Sequence, residues 1–451
     1  MWVFDQLPVP WVKTSLPGPA AQALLERDAR FVSPSYTRVY PLVVARGSGA
    51  VIEDVDGNRF LDLTAGIAVT AAGHCHPEVV AAIKDQADNL LHMSGTDFYY
   101  QPQIDLAQRL CEAAPGPSAK RVFFTNSGAE ALEAALKLAR YHTGRTRVIA
   151  FLGAFHGRTY GAMSLSGSKL VHRRGFSPLV PDIHHVPFPR GCQNEGACRS
   201  SGATCQVIRD LETLMQRVAP PDEVAAIFME PIQGESGYHV APSCCLPAIR
   251  ELCDKYNILL VLDEVQCGMG RTGKMFAYEH WGIEPDIVCL AKGIASGMPL
   301  GAIIARDSVM DWPSGSHAST FGANPVSCRA ALATIDLLDQ EYMANATARG
   351  NQLHRGLVRL CERHESLRNP RGLGLMRAVD VIDAETSRGD HDLREDMVRR
   401  AFESGLLLLG CGEHSLRFCP PLCISAEQID TALTILDRVV AAALPAAQIA
   451  V

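Results

Sequence analysis

Between about residue 104 and residue 330 the chain alternates two patterns: segments with apolar residues three and four apart, and short unbroken apolar runs. The spacing predicts helices over 104–113, 129–141, 244–256 and 325–339, and the runs predict strands over 121–125, 147–151, 225–229, 258–262, 286–290 and 301–305. A strand without a polar side is buried on both faces, so this alternation calls for an α/β fold: a large, mostly parallel sheet covered by helices. After Gln340 come a helix, short strands around 372–381, a helix over 392–404, strands within 406–418 and a helix over 426–443, which make a smaller α+β unit. Upstream, two alternating runs over 51–62 flank Asp56-Gly57-Asn58, a hairpin signal, and His76-Pro77 opens a helix to about Asn89. The proline- and aromatic-rich residues 1–40 read as an arm rather than a core. The expected division is an arm and hairpin over 1–75 belonging to the small domain, a large domain over 76–340, and the C-terminal small domain over 341–451.

Two of the apolar runs end in a single charged residue. Ile258-Leu259-Leu260-Val261-Leu262 stops at Asp263, and Ile287-Val288-Cys289-Leu290-Ala291 stops at Lys292. Desolvation at the end of such a run lowers a lysine's pKa and makes its amine a usable nucleophile. An aspartate at the carboxyl end of a neighbouring strand is suited to hold a positive ring nitrogen, and ligands of a parallel sheet bind at those ends. Either residue alone is also an ordinary strand terminus. A phosphate site strengthens the pair: the strand Arg121 to Phe124 runs through Thr125-Asn126-Ser127-Gly128-Ala129-Glu130 into a helix, which offers free N–H groups to an anion at the positive end of the helix dipole. Ser127 and Glu130 also have capping-box spacing, and capping and anion binding use the same helix end.

The motifs Ser127-Gly128-Ala129-Glu130-Ala131, Phe155-His156-Gly157-Arg158-Thr159, Glu230-Pro231-Ile232-Gln233-Gly234-Glu235, Asp263-Glu264-Val265-Gln266, Gly270-Arg271-Thr272-Gly273, Ala291-Lys292-Gly293 and Ser319-Thr320-Phe321-Gly322-Ala323-Asn324-Pro325 resemble, in that order, the motifs of the class III aminotransferases dependent on pyridoxal 5'-phosphate (PLP). The resemblance runs from about residue 40 to the C-terminus and implies the fold type I PLP-dependent transferase fold. It implies that Lys292 forms the imine with the cofactor and then moves the substrate proton, and that Asp263 keeps the ring nitrogen protonated. Gln266 would bond the ring hydroxyl, Phe155 would stack on the ring with His156 beside it, and Ser127, Gly128 and Ala129 would hold the phosphate. Thr320 would reach the phosphate of the other subunit's cofactor, which implies a homodimer with its sites at the interface.

For substrate, Arg158 matches the arginine that grips the carboxylate distal to an ω-amine, and Arg417 the one that binds the α-carboxylate of 2-oxoglutarate. Glu235 matches the acid that pairs with that second arginine while an ω-amine is bound and then swings away. Glu235 and Arg417 also read as a structural salt bridge. Ala65-Gly66-Ile67-Ala68-Val69, with Ile67 at its centre, looks like the apolar lining of the 4-aminobutyrate branch.

Composition narrows the setting. Net charge of −7 and the absence of a basic run or basic aromatic stripe argue against nucleic acid. Met1 to Pro10 has no basic start, Pro8, Pro10, Pro17 and Pro19 interrupt any apolar stretch there, and no run approaches the roughly 18 apolar residues of a membrane span. A cytoplasmic enzyme acting on amino acids and 2-oxo acids is expected. Of the 15 cysteines, Cys253, Cys289 and Cys328 sit in apolar settings, whereas Cys192, Cys198 and Cys205 lie in a polar insert without tight CxxC spacing; no metal is expected.

Three readings follow. The first is an aminotransferase moving the amino group of an ω-amino acid of the 4-aminobutyrate type, with ornithine or acetylornithine as neighbouring donors, to 2-oxoglutarate by a ping-pong route. The second is a broad-specificity amino-acid racemase, because Gly405 to Gly412 and Thr96 to Tyr100 resemble a branch that includes such enzymes. The third, a non-catalytic scaffold, predicts loss of Lys292 or Asp263, and both are present.

Overall fold

The computed structural model describes residues 2–4, 7–191 and 205–443. Its centre is a seven-stranded sheet of β1 (Lys120–Thr125), β2 (Arg147–Phe151), β3 (Ile183–Val186), β4 (Val224–Met229), β5 (Leu259–Asp263), β6 (Ile287–Leu290) and β7 (Gly301–Arg306), in spatial order β1-β7-β6-β5-β4-β2-β3. Strands β6, β5, β4, β2 and β3 pair in parallel, while β7 runs antiparallel to both β6 and β1. The apolar runs predicted from sequence each occupy one of these strands.

Alternate residues of β5 show why those runs are unbroken. Leu259 and Val261 pack on one side, in a cluster with Ala131, Leu132, Ala135 and Leu136 of the helix Gly128–Thr143. Leu260 and Leu262 pack on the other, with Ile249 and Cys253 of the helix Cys245–Tyr256. With both faces covered, each apolar side chain contributes roughly 1.5–3 kcal/mol of burial whichever way it points, and no polar position is selected.

The C-terminal part contains a four-stranded antiparallel sheet, Leu367–Leu373, Met376–Val381, Ser415–Phe418 and Leu409–Cys411 in spatial order. The hairpin of Val51–Asp54 and Arg59–Asp62 turns at Gly57, where φ is +79°. Its second strand pairs in parallel with Leu406–Leu407, so the chain's two ends share a sheet. The helix Pro19–Phe31, whose only buried residue is Ala21, lies within the segment expected to be an arm; the prolines at 17, 19 and 34 that suggested an arm bracket the helix, and Pro19 is its first residue. Pattern reading ran the 325–339 helix slightly long: the α-helix ends at Leu337 and a π-turn follows over Leu338–Tyr342.

No helix among the described residues is long and apolar enough to cross a membrane. None of their His, Cys, Asp and Glu side chains form a metal-holding group of three. Cys192 and Cys198 lie outside the described residues; Cys205 is buried, with its Sγ 3.8 Å from that of Cys244.

Candidate active site

Asp263 is the last residue of β5, and Lys292 follows β6 by two residues. In register Asp263 stands opposite Cys289, and the next N–H, of Glu264, donates to the Cys289 carbonyl at 2.9 Å, so pairing of the two strands brings both charges to the same sheet edge. Ala291 leaves the strand and Lys292 turns with φ +45°, a left-handed conformation that a non-glycine residue holds only where its surroundings enforce it. Burial pushes the Lys292 amine below its ordinary value, outweighing the upward pull of Asp263 and Glu230.

The helix Gly128–Thr143 begins at the same edge. Ser127 caps it, its Oγ accepting the Glu130 N–H at 3.2 Å. The reciprocal half of the capping box is displaced: Glu130 Oε2 accepts the N–H of Asn126 at 2.8 Å, not that of Ser127. The N–H groups of Gly128 and Ala129 lie in the first turn, where no intrahelical acceptor exists, and have none among the described residues. A Cβ on Gly128 would stand 2.8 Å from Val265 Cγ1, so only glycine fits this floor.

Ser127, Gly128, Ala129, Phe155, His156, Arg158, Asp263 and Lys292 line one cavity of about 410 Å³. Beneath it, His156 Nδ1 lies 2.7 Å from Asp263 Oδ2, and the other oxygen, Oδ1, accepts the Val265 N–H at 2.9 Å. Burial pushes the His156 imidazole down, but Asp263 and Glu230 outweigh this and leave it raised. Glu230, a residue of a recognised motif given no role from sequence, sits behind this pair. Its carboxylate accepts the N–H groups of Phe155 and Gly234, and burial pushes it up to about 7 against the pull of His156.

The remaining predicted residues fall elsewhere. Gln266 packs under Gly234 and leaves Oε1 buried without a partner. Arg417, on the strand Ser415–Phe418, is buried and places Nη1 3.1 Å from Glu235 Oε2; it is close enough to act on the Lys292 amine. Thr320 is exposed and outside the cavity. Ile67 is 41% exposed, and its neighbour Val69 lines the cavity instead. Ala65, Gly66, Ile67 and Ala68 all have positive φ, from +48° to +67°, and make one left-handed helical turn, closed by the Ala68 N–H on the Thr64 carbonyl at 2.8 Å. The placement of Ile67 in the pocket came from resemblance and not from apolar spacing, and a left-handed turn leaves no such spacing to read.

These features fit PLP. Two unused N–H groups at a helix start suit a phosphate. A desolvated lysine amine with a buried carboxylate nearby suits an aldehyde carbon and a ring nitrogen.

Known proteins agree. A family model described as aminotransferase class III matches residues 31–440. An acetylornithine aminotransferase of Caldanaerobacter subterraneus is 39% identical over 92% of this chain and 98% of its own length. An alanine/serine racemase of Pyrococcus horikoshii is 38% identical over 96% and 92%, and a 4-aminobutyrate aminotransferase of Mycobacterium bovis 38% over 95% and 97%. The crystal structure of a PLP-bound amine transaminase from an uncultivated Pseudomonas species superposes with a TM-score of 0.83, at 32% identity, covering 92% of this chain and 98% of that one. The chain belongs to the class III aminotransferases, and it is a PLP-dependent enzyme that works on amino acids and oxo acids.

Proposed function

We propose that the enzyme transfers the amino group of an ω-amino acid of the 4-aminobutyrate type, with ornithine and acetylornithine as related donors, to 2-oxoglutarate in two half-reactions. The observation that carries this reading is the Glu235–Arg417 pair, 3.1 Å apart beside the lysine cavity. With Glu235 on it, Arg417 is neutralised and tolerates a substrate whose reacting end bears no carboxylate. With Glu235 withdrawn, Arg417 presents a planar fork to the α-carboxylate of 2-oxoglutarate. Arg158, exposed on the cavity wall, holds the distal carboxylate in both cases.

PLP supplies, when bound, an electron sink for negative charge at the carbon next to the amino nitrogen. Gly128 and Ala129 hold its phosphate with their N–H groups, assisted by Ser127, Gln266 takes the ring hydroxyl, and Phe155 covers the ring. Asp263, oriented by His156, keeps the ring nitrogen protonated. Lys292 would hold the cofactor by its amine and would be the base placed to move the substrate proton, and burial, by lowering its pKa, favours the neutral form that both tasks need. Two copies of the chain pair, each lending Thr320 to the other's phosphate, which agrees with the exposure of Thr320 and its neighbour Phe321. A cytoplasmic setting is part of the reading, in keeping with the free thiols at Cys253, Cys267 and Cys289.

A donor panel with 2-oxoglutarate tests it: 4-aminobutyrate, ornithine, acetylornithine, lysine and leucine, each followed by glutamate formation. Turnover of acetylornithine alone overturns the 4-aminobutyrate assignment. The second reading, amino-acid racemisation, draws support from the likeness to the alanine/serine racemase. Single-enantiomer alanine, serine or leucine incubated without an oxo acid decides between them, because a racemase inverts the amino acid and an aminotransferase stops after one half-reaction.

A further inference from the structure

We propose that Lys169 is the second dock for Glu235: the cation that keeps the carboxylate when it leaves Arg417, and hence a determinant of how well the dicarboxylic oxo acid is accepted. This rests on the two-substrate reading above.

The two oxygens of Glu235 are divided between two cations. Oε2 lies 3.1 Å from Arg417 Nη1 and Oε1 lies 2.6 Å from Lys169 Nζ. The cations differ in setting: the Arg417 side chain is 7% exposed and that of Lys169 is 40% exposed. Main-chain movement is restrained, because the Glu235 carbonyl accepts the Gly412 N–H at 2.6 Å and Ser236 Oγ donates to the Gly153 carbonyl at 2.5 Å. Release from Arg417 is therefore a matter of side-chain torsions. Room for it exists on the Lys169 side of the pair. A cavity of about 980 Å³ is lined by Lys169, Glu235 and Ser236 but not by Arg417. Lys169 is itself tethered to the same frame, since the neighbouring Gly167 exchanges hydrogen bonds with Ala154 and Gly153, at 2.8 and 3.0 Å.

The physical need for a second dock follows from what leaves and what arrives. When 2-oxoglutarate brings a carboxylate to Arg417, the arginine exchanges one anion for another and stays paired. Glu235 instead loses its partner in a part-buried place, where an uncompensated carboxylate is costly. Lys169 already holds one oxygen, so rotation into the larger cavity keeps that contact while freeing Arg417. Without it the released state loses its partner while the Arg417-bound state keeps one, and the balance tilts against the oxo acid. Lys169 is thus a positioning residue that acts through Glu235.

The test measures the two half-reactions of the holoenzyme separately, through the cofactor's absorbance, for the ω-amino donor and for 2-oxoglutarate. In Lys169→Met the KM for 2-oxoglutarate rises about five-fold, as expected for loss of a part-exposed ion pair, and the donor half-reaction changes by less than about two-fold; Lys169→Arg restores the wild-type ratio. In a Glu235→Gln background Lys169→Met adds nothing, because the two residues act as one unit. Equal slowing of both half-reactions in Lys169→Met, or no effect on either, overturns the role of Lys169. If Glu235→Gln itself leaves the ratio of the half-reactions unchanged, the two-substrate reading fails first. If Glu235→Gln shifts that ratio and Lys169→Met does not, only the dock is wrong.

Discussion

Asp263 Oδ2 lies 2.7 Å from His156 Nδ1, in a layer where the two side chains are 4% and 0% exposed. Among the described residues, the other polar contact of the Asp263 carboxylate is made by its own turn, through the Val265 N–H. Among the described residues, the histidine is the side chain that sets the direction of the carboxylate at the sheet edge.

Substituting Asp263 by Asn removes the charge and keeps the shape. The expected result is a fall in kcat of about 10²–10⁴-fold, the usual worth of a proton-controlling group, with a changed cofactor absorbance band. His156→Asn leaves the charge and loosens its aim, so about a ten-fold loss is expected. Steady-state rates and spectra of both variants check this. An Asp263→Asn enzyme within ten-fold of wild type contradicts the role given to Asp263.

Lys292 has a stability cost opposite to its use. Its folded pKa lies below the ordinary 10.5, so below the folded value both states hold the proton and the burial penalty is full. Between the folded value and 10.5 the unfolded chain binds more protons, so stability rises with pH, and above 10.5 the penalty has gone. Cofactor-stripped Lys292→Met is therefore expected to be more stable than stripped wild type at neutral pH, with the gap closing as pH approaches 10.5. Denaturant midpoints across pH measure it. A less stable variant at pH 7 refutes the burial penalty assigned to this amine.

Ile67 sits in the left-handed turn with φ +67° and is 41% exposed, so it combines an unfavourable backbone for a β-branched residue with little burial. Ile67→Gly is expected to raise stability by about 1 kcal/mol, the reverse of what truncating a core isoleucine does. The denaturation midpoint reports this directly; a lower midpoint means the side chain packs against something that outweighs the backbone relief.

The path from residues to site was uneven. Runs such as Leu259 to Leu262 carried their strand in composition alone, because both faces are covered and no polar residue is tolerated. Ser127, Asp263 and Lys292 stood out as the polar ends of such runs. Glu230 had the same kind of position but no visible partner until Phe155 and Gly234 folded over it. Lys169 had no signal at all: it follows a loop, belongs to no motif, and meets Glu235 across 66 residues of sequence.

The sequence by itself determined six of the seven strands of the sheet and their order along the chain, and pointed to a cofactor site, since these depend on apolar runs and on residue types at strand and helix ends, which are local; the edge strand Ile183–Val186, with two histidines at its centre, carries no such run. Tertiary structure alone decided which oxygen of Glu235 meets Arg417 and which meets Lys169, that His156 aims Asp263, and that Ile67 stands in a left-handed turn. Those are relations of a few ångströms between segments far apart in the chain, and side-chain chemistry at that range is set by packing, which no linear pattern encodes.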